Sequence, residues 1–212
     1  MKMNNKKKIL VLGDFTYVRW HSMRELEETF GNMLNPYYEV IFSEDYTDLS
    51  TEILEEYDLC INYIDNWEDR GTKQAAAALG NYVHKGGKLL TLHTGIILKT
   101  APELLKMHGA TFTGHEEYCE LIYSNTNLQH EITQGLRPFA IGEEPYEFEL
   151  YPETKKEIIL QYERQGKYYP AAWVIHHGEG KLVYLSPGHN STSFKNSSVQ
   201  ELIYASIKWL LK

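Results

Sequence analysis

Histidine and glutamate fall where an α/β protein does its chemistry. Of the nine histidines, His21, His93, His115, His130 and His189 each follow a segment that reads as a strand or strand end. In an open α/β sheet, ligands bind outside the carboxyl ends of the strands, so residues directly after different strands converge. Imidazole titrates near neutrality, which suits proton transfer, and in its neutral form it binds metals. The stretch Ile141-Gly-Glu-Glu-Pro-Tyr-Glu-Phe148 adds Glu143 and Glu144. Adjacent acids are often a solvated loop, but one carboxylate entering the cleft would give a histidine an acid/base partner or complete a metal site. The expected catalytic groups are His93, His189 and Glu143 or Glu144, in one cleft with His21 and His115 on its rim or inside it. His84 closes a helical segment, where the helix dipole alone accounts for it.

The turn Leu92-His93-Thr94-Gly95 is the most informative local feature. A strand ending in x-His-x-Gly resembles a nucleophile elbow, in which glycine lets the backbone turn sharply beneath an exposed residue. That residue is Cys or Ser in hydrolases with this turn; here it is His93. Thr94 carries a hydroxyl but would need a positioned base to attack.

These residues need strands and helices to place them. Lys8–Gly13 reads as a first strand, followed by a helix from about Ser22, where Ser22 and Glu25 form a capping-box pattern. Tyr38–Ser43 is a second strand and Asp58–Ile64 a third, its continuous apolar run marking it as covered on both faces. Thr72 opens a helix that Gly86-Gly87 ends, and Lys88–Leu92 follows. Thr100 and Glu103 mark a short helix stopping near Gly109. Beyond it come strand patterns at 120–124, 146–150, 157–162, 172–176 and 181–185, with a tight turn at His177-Gly-Glu-Gly180. A last helix begins near Ser197, with Gln200 as its capping-box partner. The pattern predicts one α/β domain over residues 1–212, with a largely parallel sheet, helices on both faces and an antiparallel portion.

A net charge of −8 argues against nucleic acid as a partner. No apolar run approaches the roughly 20 residues needed to span a bilayer. Two cysteines, Cys60 and Cys119, are too few for a disulfide framework. A cytoplasmic protein with no membrane partner is expected; a homo-oligomer is compatible with all of this.

The blocks Phe15–Ser22, Gly86–Gly95, Phe112–His115, His130–Leu136, Glu143–Tyr146, Pro170–Trp173, Gly178–Lys181 and Gly188-His189 together resemble the ThuA-like (trehalose utilisation) family. They occur in family order and cover nearly the whole chain. The resemblance implies a flavodoxin-like, class I glutamine-amidotransferase-like three-layer sandwich. It also implies that His93 occupies the elbow where an amidotransferase carries Cys, and His189 the strand end of the amidotransferase base. Glutamine hydrolysis, which needs a thiolate nucleophile, is therefore not expected. Glu116 and Glu131 stand where the family often has Pro, and Asn190 where Asp is frequent, which removes a carboxylate at 190.

The family implies a carbohydrate substrate, and Trp20, Trp67, Tyr118 and Tyr146 could stack on a pyranose ring or else fill the core. The leading expectation is an enzyme acting on a disaccharide or oxidised (keto) sugar through the His/Glu cleft. A non-catalytic sugar- or partner-binding module is a second. A metal-dependent hydrolase or isomerase is a third: histidine and carboxylate are good ligands for a divalent metal such as zinc, although no His-x-x-x-His spacing singles out a site.

Overall fold

The computed structural model describes residues 6–16, 18, 20–65, 72–96 and 106–212, without the side chains of Glu25 and Thr72. Trp67 and the Thr100/Glu103 capping pattern lie outside the described residues. The order is β1 (Lys8–Gly13), α1 (Arg24–Leu34), β2 (Glu39–Ser43), α2 (Thr51–Leu54), β3 (Leu59–Tyr63), α3 (Thr72–His84) and β4 (Lys88–Leu92). There follow β5 (Ala110–His115), β6 (Cys119–Asn125), β7 (Phe139–Glu143), β8 (Tyr146–Leu150), β9 (Glu157–Arg164), β10 (Lys167–His177) and β11 (Gly180–Leu185). Helices α4 (Ser191–Lys195) and α5 (Ser197–Leu210) end the chain.

Nine strands form one sheet in the order β2-β1-β3-β4-β11-β10-β9-β6-β7. The run from β2 to β11 is parallel, and the run from β11 to β7 antiparallel. Strands β5 and β8 make a separate antiparallel pair. The period of two explains the apolar runs. Ile9 and Val11 of β1 and Leu59, Ile61 and Tyr63 of β3 face a core with α1 and α5. Leu10, Leu12 and Cys60 face the other core, with α3. Both faces are therefore covered, and each fully buried Leu or Ile contributes about 2 kcal/mol.

Some local expectations need correction. Helix α1 starts at Arg24, whose backbone N–H donates to Ser22 Oγ at 3.2 Å, and no side chain caps it from Met23. Helix α5 is capped by Asn196, whose side chain accepts from the N–H groups of Ser198 and Val199. Strands β5 and β7 and helix α4 were not anticipated. The hairpin at Gly178-Glu179 is as expected, with Gly178 at φ +60.

The elbow geometry is present. β4 ends at Leu92, and His93, at φ +38, opens a tight 3₁₀ turn to Ile96. Gly95 is required there: a Cβ would lie 2.4 Å from the carbonyl oxygen of Asn62. Gly95→Ala should therefore lower stability by about 1–3 kcal/mol. Urea unfolding would check this; an unchanged midpoint would show that the turn has room to move.

Candidate functional site

The carboxyl ends of β1, β3, β4, β7 and β11 meet, and the loops leaving them build the site. After β1 comes Asp14, whose carboxylate accepts from Tyr46 Oη at 2.6 Å and from the backbone N–H of Asp65 at 2.8 Å. Asp65, beyond the end of β3, in turn accepts from the backbone N–H groups of Trp20 and His21 at 2.8 and 2.9 Å and from Thr94 Oγ1 at 2.9 Å. Its Oδ1 also lies 3.0 Å from His21 Nδ1. One buried carboxylate thus fixes both the His21 loop and the imidazole. Thr94 spends its hydroxyl on this network and is not poised as a nucleophile.

His93 is fully buried rather than exposed as an elbow nucleophile would be. Its Nδ1 lies 2.7 Å from the carbonyl oxygen of Ser186, just beyond β11, and its ring stacks on Tyr146 at 4.1 Å. Four side chains then converge. Glu144 Oε2 lies 3.3 Å from His93 Nε2, 3.3 Å from His189 Nδ1 and 3.7 Å from His21 Nε2. His21 Nε2 lies 3.1 Å from His189 Nδ1. All four donor atoms fall within 4.8 Å of one another.

A carbonyl oxygen only accepts, so His93 Nδ1 carries the hydrogen and the neutral ring turns a bare lone pair at Nε2 toward Glu144. Burial lowers the His93 pKa to about 4, more than the Glu144 contact raises it, and keeps the ring neutral. Burial raises the Glu144 carboxyl, but the surrounding histidines, His189, His21 and His93, outweigh it and hold the group well below the usual carboxylate range. His93 Nε2 and Glu144 Oε2 face each other at 3.3 Å, close enough for either a proton or a cation to sit between them.

The other expected residues divide. Glu143 is buried and turned away from the cluster: its carboxylate accepts from the backbone N–H groups of Gly188 and His189. Burial pushes its pKa up to about 7 against those hydrogen bonds. Tyr146 is buried too, sandwiched between His93 and the ring of His115 at 5.5 Å, so it is a platform for histidines and not a surface for a sugar. His115 reaches the mouth, its Nε2 3.7 Å from Glu144 Oε1 and its side chain 34% exposed. A bulge in β5 beside Gly114, at φ +148, re-aims it there. Trp20 is 64% exposed beside His21, and Tyr118 is 48% exposed with its ring 5.3 Å from His189. His130 instead caps a turn and packs on Trp209, which Lys181 at the start of β11 also covers, so it lies at the opposite edge of the sheet. A cavity of about 640 Å³ bordered by His84, Lys106 and His177 contains none of the clustered residues.

Sequence reasoning gives Asp14, at the head of the stretch that leads to His21, no role of its own, and it misses Asp65. The available signal was an aspartate directly after each of two apolar strands. Neither cysteine joins the site: Cys60 is buried in β3, where burial pushes its thiol well above its ordinary value, and Cys119 is half-buried at the start of β6.

His21 gives the metal-free protein a pH dependence. Burial lowers its pKa, but the hydrogen bond to Asp65 and the charges of Asp65 and Glu144 outweigh this and raise it from 6.5 to about 9. A raised folded-state pKa stabilises fully below pH 6.5 and is lost as pH rises to about 9. Glu143, raised to about 7, acts in the same sense until it is ionised. On the acid side, between about pH 4.5 and 6.5, His93 and Glu143 act in opposite senses and offset each other. Unfolding of metal-free protein should therefore show a loss on the order of 2–3 kcal/mol between pH 6.5 and 9. A flat stability profile across that window would contradict the His21–Asp65–Glu144 electrostatics.

The fold is a class I amidotransferase-like α/β scaffold with a histidine, and not a cysteine, at the turn after β4. The chain belongs to the trehalose-utilisation (ThuA) family, which it matches over residues 8–210. Among solved structures it resembles a ThuA-like protein from Bacteroides uniformis ATCC 8492, with TM-score 0.79 and 17% identity, covering 99% of this chain and 93% of that one. A cytoplasmic protein from Salmonella typhimurium LT2 is similar at TM-score 0.71 and 15% identity, covering 97% and 99%. The β-galactosidase of Rahnella sp. R3 is similar at TM-score 0.70 and 13% identity, covering 97% of this chain but 31% of that one. Among curated proteins no sequence match is found. Family membership carries a carbohydrate-related role in general terms. No helix among the described residues is long and apolar enough to cross a membrane.

Proposed function

We propose that the chain is a cytoplasmic, metal-dependent enzyme of carbohydrate metabolism. His21, His93, Glu144 and His189 hold a divalent cation such as zinc, and the substrate is a disaccharide or an oxidised keto sugar. The observation that carries this is spacing. Tetrahedral ligands at 2.0–2.1 Å from zinc are about 3.4 Å apart. The closest donor pairs here are 3.1, 3.3, 3.3 and 3.7 Å apart. Metal-binding imidazoles are oriented by a hydrogen bond from the remote ring nitrogen, as His21 is by Asp65 and His93 by the Ser186 carbonyl.

A bound cation that took a sugar carbonyl or hydroxyl oxygen, or a water, as a further ligand beyond these four would supply Lewis-acid polarisation of it. The chain's own residues do the rest. His115, at the open side, is placed to exchange a proton with a sugar oxygen through Nε2, because its Nδ1 is tied to the Glu116 carbonyl at 2.8 Å. The exposed rings of Trp20 and Tyr118 flank the mouth and offer apolar faces to the C–H surface of a pyranose. The family and the similarity to part of a β-galactosidase support the substrate class.

The test is a panel of disaccharides and keto sugars, assayed for turnover and for binding with zinc-loaded and chelator-treated protein. Saturable binding or turnover that chelation abolishes is expected. Binding that is indifferent to chelation would leave a sugar-binding module and remove the metal from the account.

A further inference from the structure

Glu143 was expected in the cleft as an acid, yet its carboxylate points at backbone. Oε1 accepts from the N–H of Gly188 at 2.8 Å and of His189 at 3.3 Å, and Oε2 accepts from the N–H of His189 at 3.2 Å. From the other side Tyr63, at the end of β3, donates through Oη to the carbonyl oxygens of Gly188 and His189 at 3.1 and 3.3 Å. The loop between β11 and α4 is thus gripped through both its N–H and its C=O groups. It needs an external hold, because Gly188 sits at φ +146, a conformation with no regular partner of its own.

We infer that Glu143 is the positioning residue of this site, holding the Gly188-His189 backbone so that His189 Nδ1 meets the other donors, while its neighbour Glu144 makes the contact itself. The two carboxylates of one dipeptide thereby have different tasks. His21 and His93 are each anchored through a ring nitrogen, on Asp65 and on the Ser186 carbonyl. The anchor found for His189 is on its main chain. It also offers Nδ1, the ring nitrogen nearer the backbone, where His21 and His93 offer Nε2. A donor so close to the main chain follows any main-chain shift almost one for one, so backbone anchoring suits this histidine.

This inference rests on the proposed metal site for one of its readouts and is independent of it for the other. Titration of metal-free protein with Co(II), whose visible absorption reports ligand geometry, should show a 10- to 100-fold weaker affinity and an altered spectrum in Glu143→Ala. Glu143→Gln, whose amide oxygen accepts the same N–H groups, should restore both to within a few-fold of the wild type. In parallel, NMR of the metal-free protein should show the contacts between the His189 and His21 rings, whose centroids are 5.0 Å apart, lost in Glu143→Ala and kept in Glu143→Gln. Circular dichroism would establish that each variant is folded, and Tyr63→Phe, which removes the grip from the other side, serves as a milder substitute for Glu143→Ala. Unchanged Co(II) affinity and ring contacts in Glu143→Ala would overturn the inference. So would equal damage in Glu143→Ala and Glu143→Gln, which would make the negative charge and not the hydrogen bonding the operative feature. A wild type that takes up no Co(II) would defeat the metal reading, and the ring contacts alone would then decide the positioning role.

Discussion

Replacing His93 with alanine should reduce zinc affinity by about 10²–10³-fold, the share of one ligand in a four-ligand site whose total binding free energy is on the order of 10–16 kcal/mol. The substitution removes the most constrained donor. His93 is fully buried, stacked on Tyr146 and fixed through Nδ1 by Ser186. It should also cost stability, about 2–4 kcal/mol for a buried ring lost from a packed site. Loss of zinc could then be blamed on loosening of the core, so His189→Ala is the companion. His189 is 22% exposed at its side chain, and its truncation opens less of a void. Both variants should lose zinc in equilibrium dialysis, and only His93→Ala should unfold markedly earlier. Wild-type zinc affinity in either variant would exclude that histidine from the cluster.

Asp65→Ala should be the most destabilising single change in the site, by about 3–5 kcal/mol at neutral pH. The carboxylate is buried and accepts from the N–H groups of Trp20 and His21, from Thr94 Oγ1 and from the His21 ring. Its removal leaves a buried imidazolium and several buried donors without their acceptor, and the penalty is their desolvation. Burial raises the Asp65 pKa, but the hydrogen bond and charge of His21 outweigh this and lower it, so at pH 7 the pair is ionised. Asp65→Asn should fall between the wild type and alanine, because an amide oxygen accepts some of the same bonds without the charge. Denaturant unfolding at pH 7 measures this; a loss below about 1 kcal/mol for Asp65→Ala would show that the loop carrying His21 is held by other means.

The parallel half of the fold was legible because its strands other than the edge strand β2 are buried on both faces and read as nearly continuous apolar runs. His93 was legible because Gly86-Gly87, the strand and Gly95 together dictate a sharp turn at that point. The antiparallel half was only partly legible. β5, Ala-Thr-Phe-Thr-Gly-His, pairs with β8 outside the main sheet, so neither apolar alternation nor the rule for parallel strand ends applies to it. Its bulge, which carries His115 to the mouth, is a tertiary feature. Glu143 and Glu144 could not be separated in sequence, because which carboxylate enters a cleft depends on where β7 stops: Glu143 is its last residue, and Glu144 lies beyond it. Tyr146 looked like a sugar platform because an aromatic beside histidines is consistent with either stacking on a ligand or stacking on the histidines themselves.

The most direct test of the central claim is a crystal of zinc-loaded protein measured on both sides of the zinc absorption edge. The account predicts one anomalous peak per chain, about 2.0–2.2 Å from His21 Nε2, His93 Nε2, His189 Nδ1 and a Glu144 oxygen. A fully zinc-equilibrated crystal with no peak among these four side chains, or with its zinc bound elsewhere, would contradict it.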